Sequence, residues 1–211
     1  MPFGPSPAPA SPLASLGLAR WSVAGEGARE SARGGQGGLS VPKAGELPTR
    51  LVVDSPIGSL CLEASADGLV ALSWTRTRLP TLPVRGALAK NDQARGFLRQ
   101  GAAWLRAYFS GTSPLPPLPP LVPQGTAFQK AVWRQLVAIR PGTTTTYGEI
   151  ARGLRKPGAS RAVGQAVGAN PLPIVIPCHR VLAAGGKLGG YSSGLRRKRW
   201  LLAHEGLTWM S

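Results

Sequence analysis

Cys178 and His179 stand side by side in the run Ile174-Val175-Ile176-Pro177-Cys178-His179-Arg180-Val181-Leu182. A soft sulfur nucleophile and an imidazole base could do covalent chemistry together, but an ordinary thiol, with a pKa of about 8.5, holds only a few per cent of thiolate near neutrality. The thiol therefore needs help. The apolar residues before it predict a short buried strand, and successive strand side chains point to opposite faces, which argues against a direct papain-like dyad. Activation through a bridging water, with Glu205 orienting the imidazole, is the arrangement these residue types allow. The competing reading is an inert buried thiol, the usual state of a single cysteine. Two histidines, His179 and His204, and two distant cysteines, Cys61 and Cys178, offer no recognisable zinc spacing, so neither metal nor cofactor is expected.

The elements before this run must bring groups to it. Thr146 and Glu149 have the spacing of a capping box, predicting a helix over 147–154. Arg155-Lys156-Pro157-Gly158-Ala159 reads as a turn, and Ser160 as the cap of a second helix ending near Ala169, before Asn170-Pro171. Two short helices carrying Arg152, Arg155, Lys156 and Arg161 read as a helix-turn-helix. The second is thin, with Ala162, Gly164, Ala166, Gly168 and Ala169. It offers few groups to read base edges in a major groove, but permits close backbone approach in a minor groove with one long side chain free to enter the base stack. Tight packing against another helix would also explain its glycines.

Farther from the cysteine, Thr126 and Gln129 form another capping-box pair, with Phe128, Val132, Leu136 and Ile139 at helical spacing. The segment 113–123 is rich in proline, cannot donate a regular ladder of hydrogen bonds and is expected as an extended linker. Upstream, short apolar runs separated by Ser55-Pro56-Ile57-Gly58 and Ala66-Asp67-Gly68 predict an antiparallel meander, followed by a helix over 93–109. Cys61 falls inside this meander and is expected as a buried structural thiol. The expected division is a disordered tail (1–47), a small α/β unit (48–112), the linker (113–123) and a mainly helical unit (124–211). The fold class is α/β in the α+β sense.

Formal net charge is +16, which suits a polyanionic partner or an acidic surface. From Lys130 onward basic residues greatly outnumber the acids Glu149 and Glu205. The cluster Arg196 to Arg199, on a last helix whose Leu201 and Leu202 turn inward, reads as a solvated face. No disulfide framework, apolar span or signal-like segment is visible, so a cytoplasmic protein without a membrane segment is expected.

Taken together, Tyr147-Gly148-Glu149-Ile150-Ala151, Ser160-Arg161-Ala162-Val163-Gly164, Asn170-Pro171, Ile176-Pro177-Cys178-His179-Arg180-Val181, Gly190-Tyr191-Ser192 and Leu201-Leu202-Ala203-His204-Glu205-Gly206 resemble the O6-alkylguanine-DNA alkyltransferase family. The resemblance runs in order from about Gly125 to the end, and more loosely through the upstream meander. It implies direct repair of alkylated double-stranded DNA by a monomer, with Cys178 as alkyl acceptor and His179 and Glu205 as its water-mediated relay. Asn170 would tie the thin helix to the active-site segment. Tyr147 would press on a phosphate and protonate the departing guanine, and Arg161 would fill the gap in the stack, with Arg155, Ala162 and Gly164 also at the DNA. Tyr191, Ser192 and the backbone around Val181 would line the base pocket. Ser193 departs from the family's usual glycine or larger residue, which bears on bulky adducts. Two rivals remain, a non-catalytic lesion binder, which Cys178 argues against, and a helix-turn-helix regulator, which the thin helix argues against.

Overall fold

Alternating small and branched apolar residues in a Gly- and Ser-punctuated stretch form three short strands. In the computed structural model, which describes residues 49–75 and 92–210, these are β1 (Thr49–Val53), β2 (Leu60–Ala64) and β3 (Leu69–Trp74). They form an antiparallel sheet with β2 in the middle. Cys61 is buried on β2. The helix α1 (Asp92–Phe109) lies against the sheet through Leu98, Gly101 and Leu105. The reading of residues 1–47 as a tail lies outside the described residues.

The Pro-rich segment is docked. Leu69 N donates to Pro120 O (2.9 Å) and Val122 N donates to Leu69 O (2.9 Å), with Leu121 buried between. Gly68 is required at this crossing, because its φ is +153° and a Cβ there would lie 2.2 Å from Pro120 O.

Both capping boxes are present. Thr126 and Gln129 open α2 (Ala127–Val137), and Thr146 and Glu149 open α3 (Tyr147–Gly153). A 3-10 turn, Pro157–Ala159, leads into α4 (Ser160–Gly168), giving the helix-turn-helix. Ser160 is not the cap expected of it. The chain is already turning helically at Pro157, so Ala159 takes the cap position with no side-chain bond and Ser160 lies inside the helix. Trp133 of α2 donates through Nε1 to Ala166 O (2.8 Å), fixing α4 from behind.

The strand expected before Cys178 is also absent. Ile174 and Val175 form a turn closed by an isolated bridge between Pro173 and Ile176, with Ile174 at φ 75° and Ile176 N bonded to Leu172 O (2.8 Å). Cys178–Arg180 is a 3-10 turn leading into β5 (Val181–Leu182). An apolar run of this length records burial and not backbone shape; here the Asn170 side chain shapes the turn. The last helix, α5 (Leu195–His204), buries Leu201 and Leu202. One hydrophobic cluster runs from Leu60, Leu62 and Leu105 through Val132 and Ile150 to Cys178 and Leu201. Among the described residues, no helix is long and apolar enough to cross a membrane.

Candidate active site

Three connections bring the site together. The short strand β4 (Thr145–Thr146) pairs in parallel with β5, Thr145 opposite Val181 and Thr146 opposite Leu182, which sets Tyr147 at the start of α3 beside the cysteine segment. Asn170 follows α4 directly; its Nδ2 donates to Ile176 O (2.8 Å) and its Oδ1 accepts from Leu172 N (3.0 Å). Lys198 of α5 sends Nζ to the carbonyls of Val181 (2.6 Å), Leu188 (2.5 Å) and Gly190 (3.1 Å), holding the segment that returns past Tyr191.

Between these elements is a cavity of about 150 Å³ lined by Tyr147, Gly164, Val167, Gly168, Cys178, Gly190, Tyr191 and Ser192. A space of about this size accepts a six-membered aromatic ring. Gly164 opens it from α4, where an added Cβ would meet only the Tyr147 ring, at 3.8 Å. No packing demand therefore explains this glycine. Of the expected pocket residues, Tyr191 and Ser192 line the cavity; Val181, of which only the backbone was expected there, has a buried side chain and a carbonyl that accepts from Lys198 Nζ. Arg161 and Ala162, on α4, and Arg155, in the turn after α3, are exposed outside the cavity. A larger groove of about 500 Å³, between β3 and the Asn170 segment, contains no thiol.

Behind Cys178 lies a closed polar cluster. Glu205 is buried and accepts at Oε1 from Tyr108 Oη (2.7 Å), His179 Nε2 (2.8 Å) and an Arg180 terminal nitrogen (2.8 Å), and at Oε2 from Arg180 Nε (2.8 Å). Burial opposes the charge on Glu205, but His179 and Arg180 outweigh it and hold the carboxyl well below the usual carboxylate range. A carboxylate only accepts, so His179 donates through Nε2 and its Nδ1 carries the free lone pair. Nδ1 is buried with no protein partner. Burial pushes the imidazole below its ordinary 6.5, against the pull of Glu205, so it is neutral at pH 7.

Burial also pushes the Cys178 thiol up, partly countered by the Asn170 amide, its own backbone and the Lys198 ammonium. The resting site thus holds a thiol, not a standing thiolate. Tyr147 is raised by burial and by nearness to Cys178, and so keeps its proton. Lys198, driven down to about 8 by burial, is the surprise of the basic run. In place of the expected solvated face, Lys198 is fully buried and Arg197 stacks on Trp74 at 4.8 Å; Arg196 and Arg199 are exposed. Arg180, Lys198 and Tyr108 are the members of the site that the sequence reading did not single out. Among the described residues no group of His, Cys, Asp and Glu is placed to hold a metal ion.

Residues 127–207 match the family model of the 6-O-methylguanine DNA methyltransferase DNA-binding domain. Over 155 residues the chain is 42% identical to the methylated-DNA--protein-cysteine methyltransferase of Methanosarcina acetivorans, covering 74% of this chain and 96% of the relative. The chain belongs to this methyltransferase family. A Mycolicibacterium paratuberculosis relative of the same name is 45% identical over 154 residues, covering 72% of this chain and 89% of its own length. The Mycobacterium tuberculosis protein OGT, crystallised in complex with DNA, superimposes with a TM-score of 0.62 at 39% identity, covering 74% of this chain and 91% of that one. The mixed α/β architecture is thus the architecture of the methyltransferase family.

Proposed function

We propose that this methyltransferase repairs duplex DNA by direct reversal, Cys178 taking the O6-alkyl group of a guanine extruded into the cavity. The observation that carries this reading is a thiol on the wall of a ring-sized cavity, with an oriented, neutral imidazole behind it. In the reaction, His179 Nδ1 takes the Cys178 proton through a water, and the sulfur attacks the sp3 carbon in line. A C–S bond forms as the C–O bond breaks. The leaving guanine needs a proton because its anion leaves poorly; in this reading the Tyr147 hydroxyl, protonated and on the cavity wall, supplies it and regains a proton from the one taken off Cys178. Thiol and O6-alkylguanine become thioether and guanine, with protons balanced.

A thioether is not cleaved by thiol exchange, so each molecule acts once. Flipping costs a few kcal/mol of stacking and pairing. Arg161, exposed on the second helix, is suited to fill the gap, and Arg155 to meet phosphate, with Ala162 and Gly164 letting the backbone come close. We further assign the DNA-facing work to 124–211, with 48–112 as the smaller α/β unit, and expect a cytoplasmic monomer.

The test is incubation with duplex DNA carrying O6-methylguanine, followed by mass spectrometry of the Cys178 peptide. A single methyl gained, saturating at one per molecule and abolished by Cys178→Ala, is the expected result. Tight lesion binding with no mass gain would replace this reading with that of a non-catalytic lesion binder.

A further inference from the structure

The cluster behind Cys178 is not built from the catalytic half alone. Tyr108 comes from α1, 97 residues from Glu205 in the chain, and is 1% exposed. Its ring is already held by stacking on Trp104 (5.4 Å) and by edge contacts with Phe109 and His204. The hydroxyl is free to serve a purpose other than packing. It donates to Glu205 Oε1, the same oxygen that receives His179 Nε2.

We propose that Tyr108 is a positioning residue of alkyl transfer: its hydroxyl completes the donor set on Glu205 and thereby sets the orientation and basicity of His179. The proposal rests on the reading of Cys178 as acceptor and His179 as its base. A carboxylate oxygen shared among three donors gives less electron density to each. With Tyr108 in place, the pull of Glu205 on the imidazole proton is moderated, and His179 stays neutral and ready to accept. Without it, Oε1 turns more fully to His179 and favours the imidazolium, which cannot act as a base. The charged and titratable groups facing His179 are Lys198 of α5 and Glu205 at the C-terminal cap of that helix, with Arg180 and Cys178 beside it in the same turn. Tyr108 reaches it through Glu205, and the charge of Glu205 keeps the Tyr108 phenol protonated along with its burial.

The experiment uses the full chain. In Tyr108→Phe the ring and its packing stay. The ring-nitrogen shifts of His179, followed by NMR against pH, should show titration displaced upward by about half a unit. The rising limb of the single-turnover methyl-transfer rate should move with it, while affinity for lesion DNA holds. Placing 3,5-difluorotyrosine at 108 strengthens the donor and should displace His179 in the opposite direction, a sign that altered packing would not produce. An unmoved His179 in a folded Tyr108→Phe protein overturns the proposal. If that variant does not fold, an unmoved His179 in the fluorinated protein does so. Absence of methyl transfer in the unaltered protein would instead overturn the reading of the active site, and the NMR titration would still report on Tyr108.

Discussion

A buried thiol whose pKa is raised is a poor nucleophile until something takes its proton, and the active-site reading gives that step to His179, whose buried Nδ1 has no protein partner. Replacing it should therefore cost the general-base contribution. His179→Ala is expected to slow single-turnover methyl transfer by about 100-fold or more at pH 7, with lesion affinity unchanged in a filter-binding or anisotropy assay. Equal losses in binding and rate would point to a structural role instead. Because His179 titrates below 6.5 in the fold, the rate should be flat just above pH 6.5 and fall only as pH drops through the histidine's lowered value. At this scale Cys178, His179 and Glu205 were legible because their types announce chemistry and their motifs are contiguous. Tyr108, Arg180 and Lys198 were not. A tyrosine, an arginine and a lysine are ordinary surface or core residues until tertiary contacts decide which of them is buried against a charge.

Among the elements, α4 works by what it lacks. Gly164 needs no special backbone angle, and a Cβ there would touch only the Tyr147 ring at ordinary distance. Gly164→Ala should thus raise stability by about 0.5–1 kcal/mol, the usual gain in a helix, measured by urea unfolding. Yet it narrows the cavity wall, so transfer from duplex DNA should slow. A variant both more stable and fully active would deny Gly164 a part in admitting the base. The opposite balance is expected at α5. Lys198→Met removes the donor from the buried carbonyls of Val181 and Leu188, each costing about 1–3 kcal/mol when left bare, and from the part-buried carbonyl of Gly190. It should unfold at distinctly lower denaturant, with transfer reduced in the fraction that stays folded. Element boundaries were readable where the signal is local: the Thr126/Gln129 and Thr146/Glu149 boxes lie within one turn of chain. They were misread where it is not. Nothing within the run Ile174-Val175-Ile176 distinguishes a strand from a turn, since that choice is made by Asn170 reaching Ile176 O. Ser160 looks like a cap only if the preceding Pro157–Ala159 turn is overlooked.

Across the whole molecule, Glu205 is where the two halves meet chemically, tied to α1 through Tyr108 and to the cysteine turn through His179 and Arg180. Its charge is a stability term as well as a catalytic one. The folded carboxyl titrates well below the unfolded value of about 4.3. Such a group stabilises the fold fully above the unfolded value, and the contribution is lost as pH falls below it toward the folded one, because the unfolded chain takes up the proton first. Glu205→Gln removes this dependence and leaves the Arg180 guanidinium buried beside a neutral amide, an imbalance that typically costs about 3–5 kcal/mol. Denaturant unfolding of the two proteins from pH 7 down to pH 3 should therefore show the variant much less stable at neutrality, with the gap closing below about pH 4.3. Other carboxylates titrate in both proteins and cancel in the difference. Curves that stay parallel across this range would mean that Glu205 is not held ionised in the fold, and His179 would then lose the acceptor that fixes its proton on Nε2 and leaves Nδ1 free.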